Sequence, residues 1–171
     1  MAKKVSLRQF QEGLVARLKD VQSGTVTQSA SKMGVQVGQE KWLVNLPDVS
    51  EVVPLPQLLK VPLTQPWFAG MANVRGVLYS AVDFSRFLGG EPTQFNIDSR
   101  LLLANGKYHM NTGIIVHHML GLKNPEQLQV GAIENLPPWI SAEYVDGQGQ
   151  VWKEVNMSGL IHHPDFLNVG V

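Results

Sequence analysis

The chain of 171 residues is 44% apolar and 16% charged, and its 14 basic and 14 acidic side chains cancel. That balance leaves no electrostatic footprint for nucleic acid, and the absence of cysteine excludes disulfides and thiolate chemistry. The length fits one domain, or one domain with an arm, and 16 Gly with ten Pro favour many turns and hence many short strands.

No apolar run nears the ~20 residues of a membrane-spanning helix. Ala2-Lys3-Lys4 opens like a signal peptide, but Arg8-Gln9-Phe10-Gln11-Glu12 stands where its apolar core should be. The expected compartment is the cytoplasm, with no insertion into a membrane. Leu7, Phe10, Leu14, Leu18 and Val21 recur at three- and four-residue spacing, which predicts an amphipathic helix over residues 6–21. Ser6 with Gln9 reads as its capping box, and Gly24 marks its end. Residues 23–32 are polar and aperiodic, so the chain divides into an arm, 1–32, and a domain, 33–171.

From Met33 the apolar period changes to two. Val35 and Val37, then Trp42, Val44 and Leu46, predict a hairpin turning through Gly38-Gln39-Glu40-Lys41. Pro47-Asp48 breaks it, and Val49 to Val53 forms the next strand. The connection from Pro54 to Pro66 carries Leu55, Leu58, Leu59, Val61 and Leu63, and is expected to lie against the core.

Trp67 to Phe84 holds a polar knot, Asn73-Val74-Arg75-Gly76, between two apolar runs. Gly76 suits a corner with positive φ, and Asn73 can set that corner by bonding its own backbone two residues on. Arg75 is the residue the turn does not need. It offers a planar five-donor fork to a partner carboxylate or carbonyl, and Glu51 and Asp83 are internal candidates for that role. Val77 to Val82 reads as a strand buried on both faces, with Asp83 capping a short helix from Phe84 to Leu88 that Gly89-Gly90 stops.

The second half is a run of hairpins. Arg100 to Ala104 meets Asn105-Gly106, a strong hairpin signal, and is expected to return as Lys107 to Met110. Ile114 to Leu120 reads as one strand, and Asn124-Pro125-Glu126 opens a loop or helical turn. Trp139 to Val145 and Gln150 to Val155 flank the turn Asp146-Gly147-Gln148-Gly149. Ser158 is the expected cap of a last helix ending near His163-Pro164, with Phe166-Leu167 pinning the tail. Strands in each half point to two small sheets or barrels packed together.

Gly70 to Gly76, followed by an apolar strand and Asp83, resembles the signature of the CheW-like family of chemotaxis adaptors, Gly-x-x-Asn-x-Arg-Gly. Gly38 to Val53, with Trp42-Leu43-Val44 and Val49-Ser50-Glu51-Val52, is similar to the family's first hairpin and its Val-x-Glu-Val. The Pro-rich approach from Val61 to Gly70 is most similar to the branch that serves type IV pilus twitching motility. The resemblance spans about residues 33–168 and leaves the arm outside.

It implies a mainly β, CheW-like fold of two small packed barrels or sheets with short helices, beside the N-terminal helix. It implies a non-catalytic scaffold without a cofactor, whose partners are the regulatory domain of a CheA-like histidine kinase and the cytoplasmic tip of a chemoreceptor. The positions it marks for partner contact are Val49, Glu51, Gly70, Asn73, Arg75 and Gly76. One departure is His117, which follows Gly113-Ile114-Ile115-Val116 where the family usually has Asp.

The alternative reading is a small-ligand or metal-binding β-domain using the pairs His117-His118 and His162-His163. Adjacent strand residues face opposite ways, so His117 and His118 cannot both meet one ion, and no carboxylate lies at ligand spacing. Gly-x-Ser-x-Gly and Gly-Lys-Ser/Thr motifs are absent, which removes the nucleophile elbow and the P-loop. An enzyme is not expected.

Overall fold

A computed structural model describes residues 31–131 and 134–171. The predicted helix over 6–21 and the rest of the arm up to residue 30 lie outside the described residues. Among the described residues twelve strands follow in chain order: β1 (Lys32–Val37), β2 (Glu40–Asn45), β3 (Val49–Pro54), β4 (Leu58–Leu59), β5 (Phe68–Val74), β6 (Val77–Asp83), β7 (Arg100–Ala104), β8 (Thr112–Val116), β9 (His118–Lys123), β10 (Gln129–Val130), β11 (Ile140–Val145) and β12 (Val151–Val155). Three short α-helices accompany them among the described residues, α1 (Phe84–Phe87), α2 (Met157–Ile161) and α3 (Pro164–Leu167).

The strands form two six-stranded sheets, ordered β10-β11-β12-β2-β1-β9 and β3-β7-β8-β6-β5-β4. The first sheet is not built from one half of the chain, as the strand positions led one to expect. β12 runs parallel to β2 and pairs Trp152 to Glu154 with Lys41 to Leu43, so the first hairpin sits among the C-terminal ones. The chain changes sheets at His117, the single residue between β8 and β9. The expected strand Ile114 to Leu120 is therefore two strands in different sheets.

Alternation assigns the side chains to two cores. Leu102 of β7 and Ile114 and Val116 of β8 face the first sheet and pack with Val35, Val37, Trp42 and Val44. Leu101, Leu103 and Ile115 point the other way, to a smaller core with Val53, Ala72 and Ala81. β7 and β8 are thus buried on both faces, and this explains why they read as unbroken apolar runs. Phe84 of α1 meets Trp42 edge to face with centroids 5.0 Å apart. α2 and α3 close the first core with Met157, Leu160, Ile161 and Phe166.

Several local expectations change. Asn105-Gly106 makes no two-residue hairpin: the Asn105 side chain accepts from the Lys107 N–H and caps a 3-10 turn at Gly106–Tyr108. Its competing role as a cap wins, and β7 pairs antiparallel with β8 on one side and β3 on the other. β6 is not buried along its length: Val77 and Leu78 are exposed, and burial begins at Ala81. In the Pro-rich connection Leu55 and Leu58 pack against the smaller core, whereas Leu59, Val61 and Leu63 face outward. Asn156, not Ser158, caps α2 by accepting the Gly159 N–H, and α3 is a separate helix capped by His163. Phe166 is buried, but Leu167 is half exposed. Asp83 caps α1 as expected, with Gly89 at positive φ beyond it.

Candidate functional site

The β5–β6 hairpin turns through two residues, Arg75 at φ 51° and Gly76 at φ 85°. Two successive left-handed residues match the twist of the flanking strands, and Gly at the second position suits that geometry. Asn73 supports the corner as expected, but reaches three residues on: its Oδ1 accepts the Gly76 N–H at 2.8 Å. Arg75 carries the less natural φ itself, because the turn is only two residues long.

The guanidinium of Arg75 donates from both terminal nitrogens to Glu51, Nη1 to Oε1 at 2.8 Å and Nη2 to Oε2. Glu51 lies on β3, an edge strand of the second sheet, and Arg75 lies at the tip of the β5–β6 hairpin, three and four places along. The sheet therefore rolls around its small core until edge and tip meet, and the bidentate pair fastens them on the outside. Arg75's hydrogen bonds hold the Glu51 carboxyl below the usual range, against a smaller opposing effect of desolvation. Glu51 in turn raises the affinity of Arg75 for its proton.

Four of the six marked positions, Glu51, Asn73, Arg75 and Gly76, thus come together at one accessible corner. Gly70 and Val49 do not. Gly70 is buried at φ 141°, and a Cβ there would fall 2.5 Å from the carbonyl oxygen of Leu59, so its bare backbone is what lets β4 lie against β5. Val49 is half-buried, pairs with Ala104, and packs against the core between the sheets. Sequence reasoning missed Val77 and Leu78, which stand exposed directly after the turn. Their apolar character hid them in a run read as core.

The base of β3 is braced by a second cluster. Tyr108 donates its hydroxyl proton to Asp48, and Lys107 Nζ lies 3.1 Å from the same carboxylate. Burial, with the Asp48 bond adding to it, pushes the Tyr108 hydroxyl far above its ordinary value. Under the first sheet, Glu154 takes bonds from Asn45 Nδ2 at 3.0 Å and Ser141 Oγ at 2.9 Å, with Lys32 Nζ at 2.7 Å. Burial raises its carboxyl, but the donors outweigh burial and leave it below the usual carboxylate range.

The histidine pairs are not brought together. His117 Nδ1 accepts the Gly38 N–H at 3.0 Å, while His118 is exposed. His162 Nδ1–H donates to the Ser158 carbonyl at 2.9 Å, and His163 Nδ1 accepts the Asp165 N–H at 3.1 Å. No group of three metal-ligating side chains occurs among the described residues. A cleft of about 520 Å³ opens between the β1–β2 turn and the loop after α1, with His117, Glu40 and Glu91 on its walls. No nucleophile paired with a base lines it.

The CheW-like domain family matches residues 32–165, and the chain belongs to that family. Protein PilI of Pseudomonas aeruginosa is 29% identical over 172 residues, covering 96% of this chain and 90% of that one. Among solved structures, the scaffolding protein TtCheW from Thermoanaerobacter tengcongensis superposes with a TM-score of 0.66 at 16% identity, covering 80% of this chain and 94% of that one. The second likeness concerns the fold. The mainly β, two-sheet expectation holds, and among the described residues no helix is long and apolar enough to cross a membrane.

Proposed function

We propose that this chain is a non-catalytic adaptor that couples a chemoreceptor to a CheA-like histidine kinase, in a chemosensory array controlling type IV pilus twitching motility. The observation that carries the reading is the corner at Glu51 and Arg75. It is rigid, because a two-residue turn and a bidentate pair fix it, and it is open, because the pair lies on the surface beside exposed Val77 and Leu78. A preorganised Arg next to apolar side chains is the composition of an interface anchor, since Arg is enriched among residues that dominate binding. Membership of the CheW-like family and the likeness to PilI support the choice of partners. Val49 and Gly70 act in this reading by holding β3 and β4 in place, and the work is done in the cytoplasm, on the inner side of receptor arrays.

The test is a titration of the purified chain against the regulatory domain of the cognate kinase, then against the receptor's cytoplasmic tip. Formation of a ternary complex with the wild-type chain and its loss with Arg75→Ala supports the reading. Equal binding by both proteins sinks it.

A further inference from the structure

At the other end of β5, about 20 Å from the Arg75 corner at ~3.3 Å per residue, the surface is patterned inside out. In the loop after α1 the two polar residues Thr93 and Ser99 are buried, while Phe95 and Ile97 between them are 51% and 88% exposed. The polar residues are held down by specific bonds. Asp83 accepts from the Thr93 N–H at 2.9 Å and its hydroxyl at 2.6 Å. Ser99 Oγ accepts the Asn96 N–H at 3.0 Å and donates to the Gln94 carbonyl at 3.3 Å, and Arg100 donates to the Ile97 carbonyl at 2.7 Å. The fold thus secures this loop through its polar side chains and presents its apolar ones. Exposed apolar groups of this kind, gathered and held, mark contact surfaces.

Two hollows, of about 380 and 410 Å³, flank Phe95 and share Phe95, Lys60 and Ala69 in their walls. The charged residues that line them are Lys60, Arg86 and Asp83. Asp83 is buried and accepts from Thr93 and from the Arg86 N–H, whereas the Lys60 and Arg86 side chains make no ion pair among the described residues and are exposed. Glu91 and Asp98 of the same loop line neither hollow. The surface therefore offers two free cations and an apolar ridge, with no free carboxylate between them.

We propose that the Phe95 ridge, with Lys60 and Arg86, is a second docking surface, and that its occupant is a partner-protein segment in which apolar and acidic residues alternate. Apolar side chains of that segment enter the hollows on either side of Phe95, and its carboxylates meet Lys60 and Arg86. Electrostatic complementarity fixes orientation and selects against basic segments.

The test uses the full chain labelled with nitrogen-15 and two synthetic peptides, one alternating Asp with Leu and Phe, the other with Lys in place of Asp. The acidic peptide is expected to shift the amides of Lys60, Arg86 and Phe95 saturably, and the basic one to leave them unmoved. Lys60→Glu with Arg86→Glu is expected to weaken the acidic peptide by about tenfold or more and to admit the basic one. Phe95→Ser is expected to weaken the acidic peptide while leaving the melting curve in place, since the ring is half exposed. No saturable shift, equal response to both peptides, or indifference to all three substitutions would overturn the proposal. So would a preference for phosphatidylglycerol vesicles over the acidic peptide, which would make the ridge a membrane contact.

Discussion

Arg75 reaches 24 positions back along the chain to grip both carboxylate oxygens of Glu51, yet the two side chains stay 71% and 37% exposed. An ion pair so open to water is screened and contributes little to folding. Arg75→Ala is therefore expected to melt within about 2 °C of wild type while binding the kinase domain at least tenfold more weakly. A melting curve and a binding isotherm on one preparation check both halves. A drop of many degrees would show that the pair acts as an internal brace of the rolled sheet.

Gly70 and Gly76 both have positive φ, but they differ in what surrounds them. A Cβ at Gly70 strikes the Leu59 carbonyl, while nothing lies within 4 Å of one at Gly76. Gly70→Ala is expected to cost about 1–3 kcal/mol through strain and displacement of β4, and Gly76→Ala only about 1 kcal/mol from the left-handed backbone. Denaturant titrations of the two variants should rank them in that order. The reverse ranking would place the tight contact elsewhere.

Glu154 links stability to acid. Burial raises its carboxyl, the bonds from Lys32, Asn45 and Ser141 lower it further than that, and the folded value ends below the ordinary one. A group depressed in this way stabilises the fold fully above its unfolded pKa, about 4.3, and loses that contribution as pH falls through the folded value. Glu154→Gln is expected to be less stable at pH 7 by about 1–3 kcal/mol, with the gap to wild type closing below about pH 4. Melting temperatures at pH 7 and pH 3.5 test this, and a gap that persists in acid would remove the carboxylate from the account.

His117 works in a higher window. Burial lowers its affinity for a proton, Asp83 opposes that and His118 adds to it, and the net shift is downward. The fold therefore prefers neutral imidazole, so this stabilisation is present above about pH 6.5 and is lost as pH falls through the lower folded value. Protonation would also turn Nδ1 from an acceptor into a donor facing the Gly38 N–H. Asn at position 117 can keep an acceptor without titrating, so His117→Asn should flatten the response of the Gly38 amide shift between pH 7.5 and pH 5. A titration that survives the substitution assigns the response to another group.

Much of the fold was legible because its signals are local. Asp83 before α1, Gly38 in the first turn and Asp146-Gly147-Gln148-Gly149 between β11 and β12 each act on neighbours within a few residues. The Asn73-to-Gly76 turn was legible for the same reason, and the family signature came with it. What stayed hidden depends on partners far away. Val77 and Leu78 read as core because an apolar run carries no sign of which end protrudes. Asn105-Gly106 read as a hairpin because capping and turning use the same residues. Glu51 and Asp83 were both legible as candidate partners for Arg75, but the choice of Glu51 needs the sheet to roll, and nothing in either segment alone requires it. The run from Ile114 breaks at His117 because the chain leaves one sheet for another there, an event set by the pairing of β1 with β9.

The side-by-side pairing of β2 with β12 also governs how the chain is made. Asn45 meets Glu154, 109 positions later, so at synthesis rates of about 5–20 residues per second the first hairpin waits roughly 5–20 s for its neighbour to emerge. During that interval one margin of the hairpin presents unpaired amides and the apolar faces of Trp42 and Val44 to solvent. A ribosome-bound fragment ending before Val151 is thus a natural client for a chaperone, and a truncated product of that length has an open edge suited to self-association.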